Sequence, residues 1–441
     1  MGKMSAADVI RTVKEQNIRF IKLWFADILG QVKSFSLSDR ELENALNEGM
    51  GFDGSSVEGF ARIYESDLIA KPDPSTFSVL PWSEDGIAVA KMFCDIQYPD
   101  GRPYEGDSRH ILKKQIEKVK KLGYKFNVGP ELEFFYFKDD TAPVVMDKGG
   151  YFDYINDNAN SIRRKTILQL EKLGMNVEYS HHEVAPSQHE IDLRYDEALL
   201  MADNVLAYKI AVKQVAHEHG MHASFMPKPM EHEAGSGMHV HQSLFEGDKN
   251  IFYDAKDEFF LSATAKQYIA GVMNRVKEMC IVTNQWVNSY KRLVPGYEAP
   301  VYISWARRNR SALIRVPMYK PGREKATRIE LRFPDPSCNP YLAFTVMLAA
   351  GLEGINNKEK LEAPVEVDIF HMSPEERKKS GIESLPGSLL EAIECAEKSD
   401  FLKKALGDHI YHKLLENKKI EWDMYIKTIS PFEIKKYLPI L

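Results

Sequence analysis

The chain has 441 residues, 44% of them hydrophobic and 28% charged, which is enough apolar material for a large core and reads as two domains. A net charge of −6 leaves no basic footprint for nucleic acid. The four cysteines, Cys94, Cys280, Cys338 and Cys395, lie far apart with no CxxC pair, which reads as free thiols in a reducing cytoplasm. Asp8, Arg11, Lys14 and Glu15 interrupt the N-terminus, so no signal peptide is expected. The most apolar run, 341–355, is too short for a bilayer and contains Glu353, so a buried helix in a soluble, cytoplasmic protein is expected.

Ser5 followed by Val9, Ile10 and Val13 predicts a short helix over 5–16. Residues 20–25 and 32–37 read as a hairpin turning near Leu29-Gly30. A second helix is expected over 38–49, with Ser38 as cap and Gly49 as terminator. The segment 51–56, Gly-Phe-Asp-Gly-Ser-Ser, is too glycine- and serine-rich for regular structure. Strands over 78–81 and 87–95 complete a small mixed sheet, and the turn-rich 98–103 ends a first domain at residues 1–103. The second domain, 104–441, opens with a lysine-faced helix over 108–122. Further helices are expected over 160–173, 198–219 and 257–286, and a C-terminal helical region over 374–379 and 389–406 that covers or links subunits.

Between these helices the strands carry the chemistry. In Asn127-Val128-Gly129-Pro130-Glu131-Leu132-Glu133-Phe134-Phe135, alternation sends Glu131 and Glu133 to one face and Leu132 and Phe134 to the other. Two carboxylates in a cavity repel each other and burial adds to the cost, so the arrangement calls for a cation. The same inversion recurs with Glu190, Asp192 and Arg194, with His239, His241 and Ser243, and with Arg328, Glu330 and Arg332. A turn at Pro186 brings Glu183 to the side of Glu190. Any one such strand is equally an amphipathic strand facing water. Four that agree point to a sheet around a charged site with helices outside.

The inward set is Glu131, Glu133, Glu183, Glu190, Glu330 and His239. Its oxygen-rich chemistry suits Mg²⁺ or Mn²⁺ rather than zinc, and five carboxylates suit two or three ions bridging to a polyphosphate. Arg292, Arg307, Arg308, Arg310, Arg315, Arg328 and Arg332 crowd the same C-terminal stretch, as phosphoryl transfer requires. No GxxxxGK[ST] motif is present, so nucleotide must be held through metals, arginines and backbone. His181-His182-Glu183 and His217-Glu218-His219 lack HExxH spacing, and the second reads as a surface cluster.

Seven stretches in order resemble type I glutamine synthetase. They are Phe52-Asp53-Gly54-Ser55-Ser56, Gly129-Pro130-Glu131-Leu132-Glu133-Phe134, His182-Glu183-Val184-Ala185-Pro186 and Gly235-Ser236-Gly237-Met238-His239. Lys291 to Pro300, Arg308-Asn309-Arg310-Ser311 and Asn339-Pro340-Tyr341-Leu342-Ala343 complete the set. The resemblance implies an α+β fold, with a β-grasp-like N-terminal domain and a catalytic domain of curved antiparallel strands with outer helices. It further implies a homo-dodecamer of two hexameric rings with active sites shared between subunits. ATP-dependent ligation of ammonium to glutamate would run through γ-glutamyl phosphate. By resemblance, Glu133, Glu183 and Glu190 hold one metal and Glu131, His239 and Glu330 the other.

Asp53 of an adjacent subunit would deprotonate ammonium, helped by Tyr151, and Glu298 would shield the acyl phosphate from water. Gly235, Arg292 and Arg332 would hold glutamate, joined by Glu298 and Arg310. Arg310 would also stabilise the transferred phosphate, and Glu178, His241, Gln242, Ser243, Arg315 and Arg328 would contact ATP. Arg62 resembles a glutamine-feedback arginine of the unadenylylated subgroup. Two departures stand out: Ala234 replaces an asparagine common in the family, and Phe370 lacks the hydroxyl that adenylylation needs. A γ-glutamyl-amine ligase on the same fold and a non-catalytic sensor are the alternatives, which retention of Asp53, Tyr151 and the full ligand set disfavours.

Overall fold

The computed structural model describes residues 4–57, 59, 67–83, 86–297, 299–309, 311–320, 322–367 and 369–441, without the side chain of Phe370. Arg62, Glu298 and Arg310 lie outside the described residues.

The first sheet has strand order Val32–Ser38, Phe20–Ala26, Val89–Gln97, Asp67–Pro72, Met50–Asp53, and Ser78–Val79 pairs with Val89–Gln97. Phe20–Ala26 runs antiparallel to Val32–Ser38 and parallel to Val89–Gln97, so the sheet is mixed. Val9 and Val13 of the helix Ala6–Glu15 join Ile21, Leu23, Met92 and Ile96 in its core. Ser5 caps that helix through a reciprocal bond with Asp8. The second helix is shorter than expected. Ser38 leads into a three-residue 3-10 turn, and the α-helix covers only Leu42–Glu48 before Gly49 ends it at φ 80°. Residues Met50–Asp53 are an edge strand rather than a loop, and Asp67–Pro72 was not anticipated.

The second sheet has the order Tyr302–Ala306, Ala312–Arg315, Ile329–Leu331, Met238–Glu246, Lys125–Phe137, Gln188–Leu193, Val177–His182. All neighbours are antiparallel except the first pair. Leu132 and Phe134 of the long strand Lys125–Phe137 are fully buried, and Tyr208 of the helix Ala198–Glu218 packs its ring 6.3 Å from that of Phe134. The apolar face therefore belongs to the helices, which leaves the carboxylate face for the site. Behind that layer lies the helix Pro340–Asn356, buried on nearly every side as the 341–355 run predicted. It crosses the helix Ala263–Thr283 so closely that a Cβ on Gly271 would lie 2.3 Å from the carbonyl oxygen of Ala350. That helix begins at Ala263, capped by Ser262, and ends at Thr283, inside the expected 257–286.

Polar ties, two of them extensive, link the sheets. Asn339 caps the helix Pro340–Asn356 and donates 3.2 Å bonds to the carbonyls of Asp27 and Ile28 in the N-terminal hairpin. Arg109, 3% exposed, binds Asp203 twice and reaches Asp95 and Asp73. The C-terminal region contains more helix than expected. Leu389–Glu397 and Asp400–Leu406 are separated by the capping Ser399, and Asp408–Ile426 and Pro431–Tyr437 follow. No described helix is long and apolar enough to cross a membrane.

Candidate active site

Residues paired across antiparallel strands leave the sheet on the same side. The register sets His239 opposite Glu131, Glu131 opposite Asp192, Glu133 opposite Glu190, and His241 opposite Glu330. Arg315 stands opposite Glu330 and His181 opposite Glu190. Glu183 joins from beyond its strand, where Ser187 at φ 60° turns the chain and the Glu183 amide donates to the Gln188 carbonyl at 2.8 Å. The result is a belt of six acids, Glu330, Glu131, Asp192, Glu190, Glu183 and Glu133, carried by three strands and one turn.

Within the belt, His181, Glu183 and Glu190 offer ligand atoms within 4.8 Å of one another, and so do Glu131, His241 and Glu330. His239 Nδ1 lies 3.4 Å from Glu131 Oε2 and 3.8 Å from Glu330 Oε1. The two histidines of this strand are engaged differently. Arg328 Nε donates to His241 Nδ1 at 3.1 Å, and an arginine cannot accept, so His241 meets Glu131 Oε1, 2.7 Å away, as a donor from Nε2. His241 is thereby engaged. Burial, helped by Arg332, lowers the pKa of His239 and keeps it a neutral imidazole with a lone pair to give.

Electrostatics divide the belt. Burial pushes Glu131 upward, but His241 and His239 outweigh it and hold its carboxyl well below the usual range. Glu330 is likewise held low against burial by His241 and Arg332, and Arg332 Nη1 donates to its Oε1 at 2.6 Å. In the other half burial wins. Glu133 is pushed up to about 7 despite Arg292 and the Gly237 amide, which donates to its Oε2 at 2.8 Å. Glu183 rises to about 7 through burial and its neighbour Glu133. Asp192 rises to about 7 through burial and Glu131. Glu190 is raised furthest, by burial and then by Asp192, Glu131, Glu133 and Glu183. Glu190 Oε1 and Asp192 Oδ1 are buried and accept no hydrogen bond. Orphaned, mutually repelling oxygens of this kind fit divalent cations.

Beside the belt opens a cavity of about 730 Å³, lined by Glu131, Glu178, Tyr179, Asp192, His241, Ser243, Arg328 and the loop 322–327. A lining that includes Glu178, His241, Ser243 and Arg328 suits an elongated polyanion beside the belt. Gln242 borders the same cavity differently from its neighbours. Alternation turns its side chain away from the cavity and into the core, where its amide accepts from Tyr268 at 2.7 Å and donates to Met347 Sδ at 3.1 Å, so that only its backbone borders the cavity. Arg292 is buried and donates to the carbonyls of Arg332, Phe333 and Pro334. It also holds the glycine loop, since a Cβ on Gly237 would lie 2.5 Å from its Nη2 and one on Gly235 would lie 2.2 Å from the Pro227 oxygen. Ala234 packs on Phe135, Phe137 and Ala185.

Tyr151 rests edge-on to His181 at 5.3 Å, at the rim of the Glu183–Glu190 group. Asp53 is exposed on the edge of the first sheet, and Ser55, through its hydroxyl at 2.7 Å and amide at 2.9 Å, lowers its pKa. It is not among the residues lining the cavity. A third cluster, Asp147, His182 and His189, lies behind the belt. Arg163 donates to His189 Nδ1 at 2.9 Å and His182 Nε2 lies 3.0 Å from Asp147 Oδ1, while His189 Nε2 and Asp147 Oδ2 are buried without a hydrogen-bond partner.

The family model described as the glutamine synthetase catalytic domain matches residues 105–437, and that of the glutamine synthetase β-grasp domain matches 17–99. The chain belongs to the glutamine synthetase family. It is 51% identical to the glutamine synthetase of Mycolicibacterium smegmatis and 51% to that of Methanosarcina mazei, each over 98% of both chains. The Thermotoga maritima glutamine synthetase is 49% identical over 99% of this chain and all of that one. Among solved structures, that of GmaS with ADP has a TM-score of 0.90 at 29% identity, covering 98% of this chain and 99% of that one. Plasmodium falciparum glutamine synthetase has a TM-score of 0.89 at 28% identity with the same coverage.

Asp192 of this belt and His181 beside it go beyond the ligand set expected from the sequence. Asp192 shares the alternation of Glu190 and needed only that rule. His181 was set aside because its motif lacked HExxH spacing, yet the bend at Ser187 places it between Glu183 and Glu190, 3.3 Å from each.

Proposed function

We propose that this chain ligates ammonia to L-glutamate at the expense of ATP, giving L-glutamine, ADP and phosphate through γ-glutamyl phosphate. Family membership supports the reaction. The observation that carries the site is the belt of six acids on one sheet face beside the arginine-lined cavity. Glu133, Glu183 and Glu190 would hold one Mg²⁺ or Mn²⁺, and Glu131, His239 and Glu330 another. Such ions supply charge neutralisation for phosphoryl transfer. Glu178, His241, Ser243, Arg315 and Arg328 contact ATP, the Gly235 backbone and Arg332 take glutamate, and Arg292 fixes the glycine loop for them. Arg310 and Glu298 are assigned their phosphate and water-excluding roles by resemblance alone, as Arg62 is its feedback role.

Asp53 is too far out on the first sheet to line its own chain's cavity, which favours its delivery to the site of an adjacent subunit, opposite Tyr151. That requires the ring assembly, a homo-dodecamer, in the cytoplasm. The test is phosphate release by the purified protein with Mg²⁺, ATP and glutamate. Release should depend on added ammonium and exceed that with ethylamine or putrescine. No release with ammonium would sink the proposal.

A further inference from the structure

Asp192 has no place in the roles above, yet it occupies the middle of the belt. It stands across from Glu131 in one direction and beside Tyr179 in the other, so its carboxylate leaves the cation face. On its own strand, Glu190 lies two residues away on that same face. Asp192 is only 3% exposed, yet it borders the 730 Å³ cavity. Tyr179 and Glu190 both approach its carboxyl group, and Oδ1 is buried without a hydrogen-bond partner. The neighbouring Glu190 Oε1 is orphaned in the same way. Two bare acceptor oxygens on adjacent same-face positions, with a third acid across the ladder, are unfavourable without a positive ion between them.

We propose that Asp192 is a cation-binding residue that joins the Glu131 group to the Glu183–Glu190 group, taking a divalent ion directly or through its water at the nucleotide side of the belt. Tyr179 is then a positioning residue that fixes the Asp192 rotamer and leaves Oδ1 for the ion. This inference rests on the metal-dependent reading given above. A purely structural Asp192, serving Tyr179 alone, would be replaced without loss by asparagine, which keeps the shape and an acceptor oxygen.

The experiment titrates the full-length, chelator-stripped protein with Mn²⁺ alone, following free Mn²⁺ by electron paramagnetic resonance and heat by calorimetry. Asp192→Asn should lose one bound Mn²⁺ per chain or weaken binding about tenfold or more, as loss of a metal-supporting carboxylate does. The Mn²⁺-induced rise in melting temperature should shrink with it, and Asp192→Glu, which keeps the charge, should retain the stoichiometry. Asp192→Ser, smaller and also neutral, gives the same reading if the amide disturbs folding. Unchanged stoichiometry, with affinity within twofold of wild type in both neutral variants, overturns the assignment of Asp192 while leaving the metal reading intact. A wild-type protein that takes up no Mn²⁺ overturns both.

Discussion

Glu131 and Glu330 sit among His239, His241, Arg315 and Arg332, whereas Glu133, Glu183, Glu190 and Asp192, on the same face of the same sheet, have chiefly one another. The first pair is held ionised and the second set is pushed towards protonation, although all six are carboxylates. Position in the ladder decides this. Glu330 has Arg328 and Arg332 on its own chain and Arg315 across from it, while Glu190 and Asp192 face Glu133 and Glu131 across one ladder and only His181 and Tyr179 across the other. One half is neutralised by the protein itself and shaped for an incoming polyanion. The other half has little protein charge to offset it, which fits the cation of the proposed function.

Neutralising one acid in each half breaks the comparison most severely. Glu330→Gln should destabilise the protein by about 3–5 kcal/mol, because Arg332 and Arg315 then face an uncharged amide in a buried setting. Glu190→Gln should do the reverse in the absence of metal. At pH 8, removing one of several crowded carboxylates raises stability by about 1 kcal/mol, while turnover falls at least about a hundredfold. Chemical denaturation in chelator measures both. Destabilisation of equal size in the two variants would erase the distinction between the halves.

Titration sharpens the same contrast. Glu133, Glu183 and Asp192 have folded-state values of about 7, above their unfolded values, so the stability linked to their protons is fully present below the unfolded range near 4 and is lost as pH rises through 7. Glu131 and Glu330 are displaced downward, so their contribution persists above the unfolded range and disappears only in stronger acid. Between about pH 5 and 8 the metal-free protein should therefore lose melting temperature with rising pH, at about 1.4 kcal/mol per unit of displacement for each group. Saturating Mn²⁺ or Mg²⁺ should flatten the curve. A metal-free melting temperature that rises across this interval would contradict the crowding of the second half.

The belt was legible because alternation is a rigid rule. Once Glu131 and Glu133 are on one face, the faces of Leu132, Phe134 and their partners follow, and the register confirmed the geometry strand by strand. Less rigid signals failed. The strand Asp67–Pro72 is short and ends in proline, and its pairing with Val89–Gln97 is a tertiary matter. The 3-10 turn after Ser38 differs from an α-helix by one residue in its bonding, which composition does not register. The helix Asp408–Ile426 lacks a clean apolar stripe because Ile420, Met424 and Ile426 remain exposed. His181 needed a bend that only the described backbone reveals.

Gln242 puts the nucleotide role that the family resemblance assigns to it to a test, since alternation leaves only its backbone on the cavity side. Its neighbours His241 and Ser243 border the cavity, and its own amide joins Tyr268 and Met347 between the sheet and the helices behind it. Gln242→Met should therefore cost only about 1 kcal/mol of stability, the worth of one buried hydrogen bond whose partner Tyr268 keeps the Met347 carbonyl 3.4 Å away. The KM for ATP should stay within about twofold of wild type, because a side chain facing the core adds nothing to a bound nucleotide. Steady-state kinetics at saturating glutamate decide the matter. A KM for ATP raised tenfold with the melting temperature unchanged would mean that the Gln242 side chain reaches the nucleotide after all, and that the strand carrying His239 and His241 does not keep its register when ATP binds.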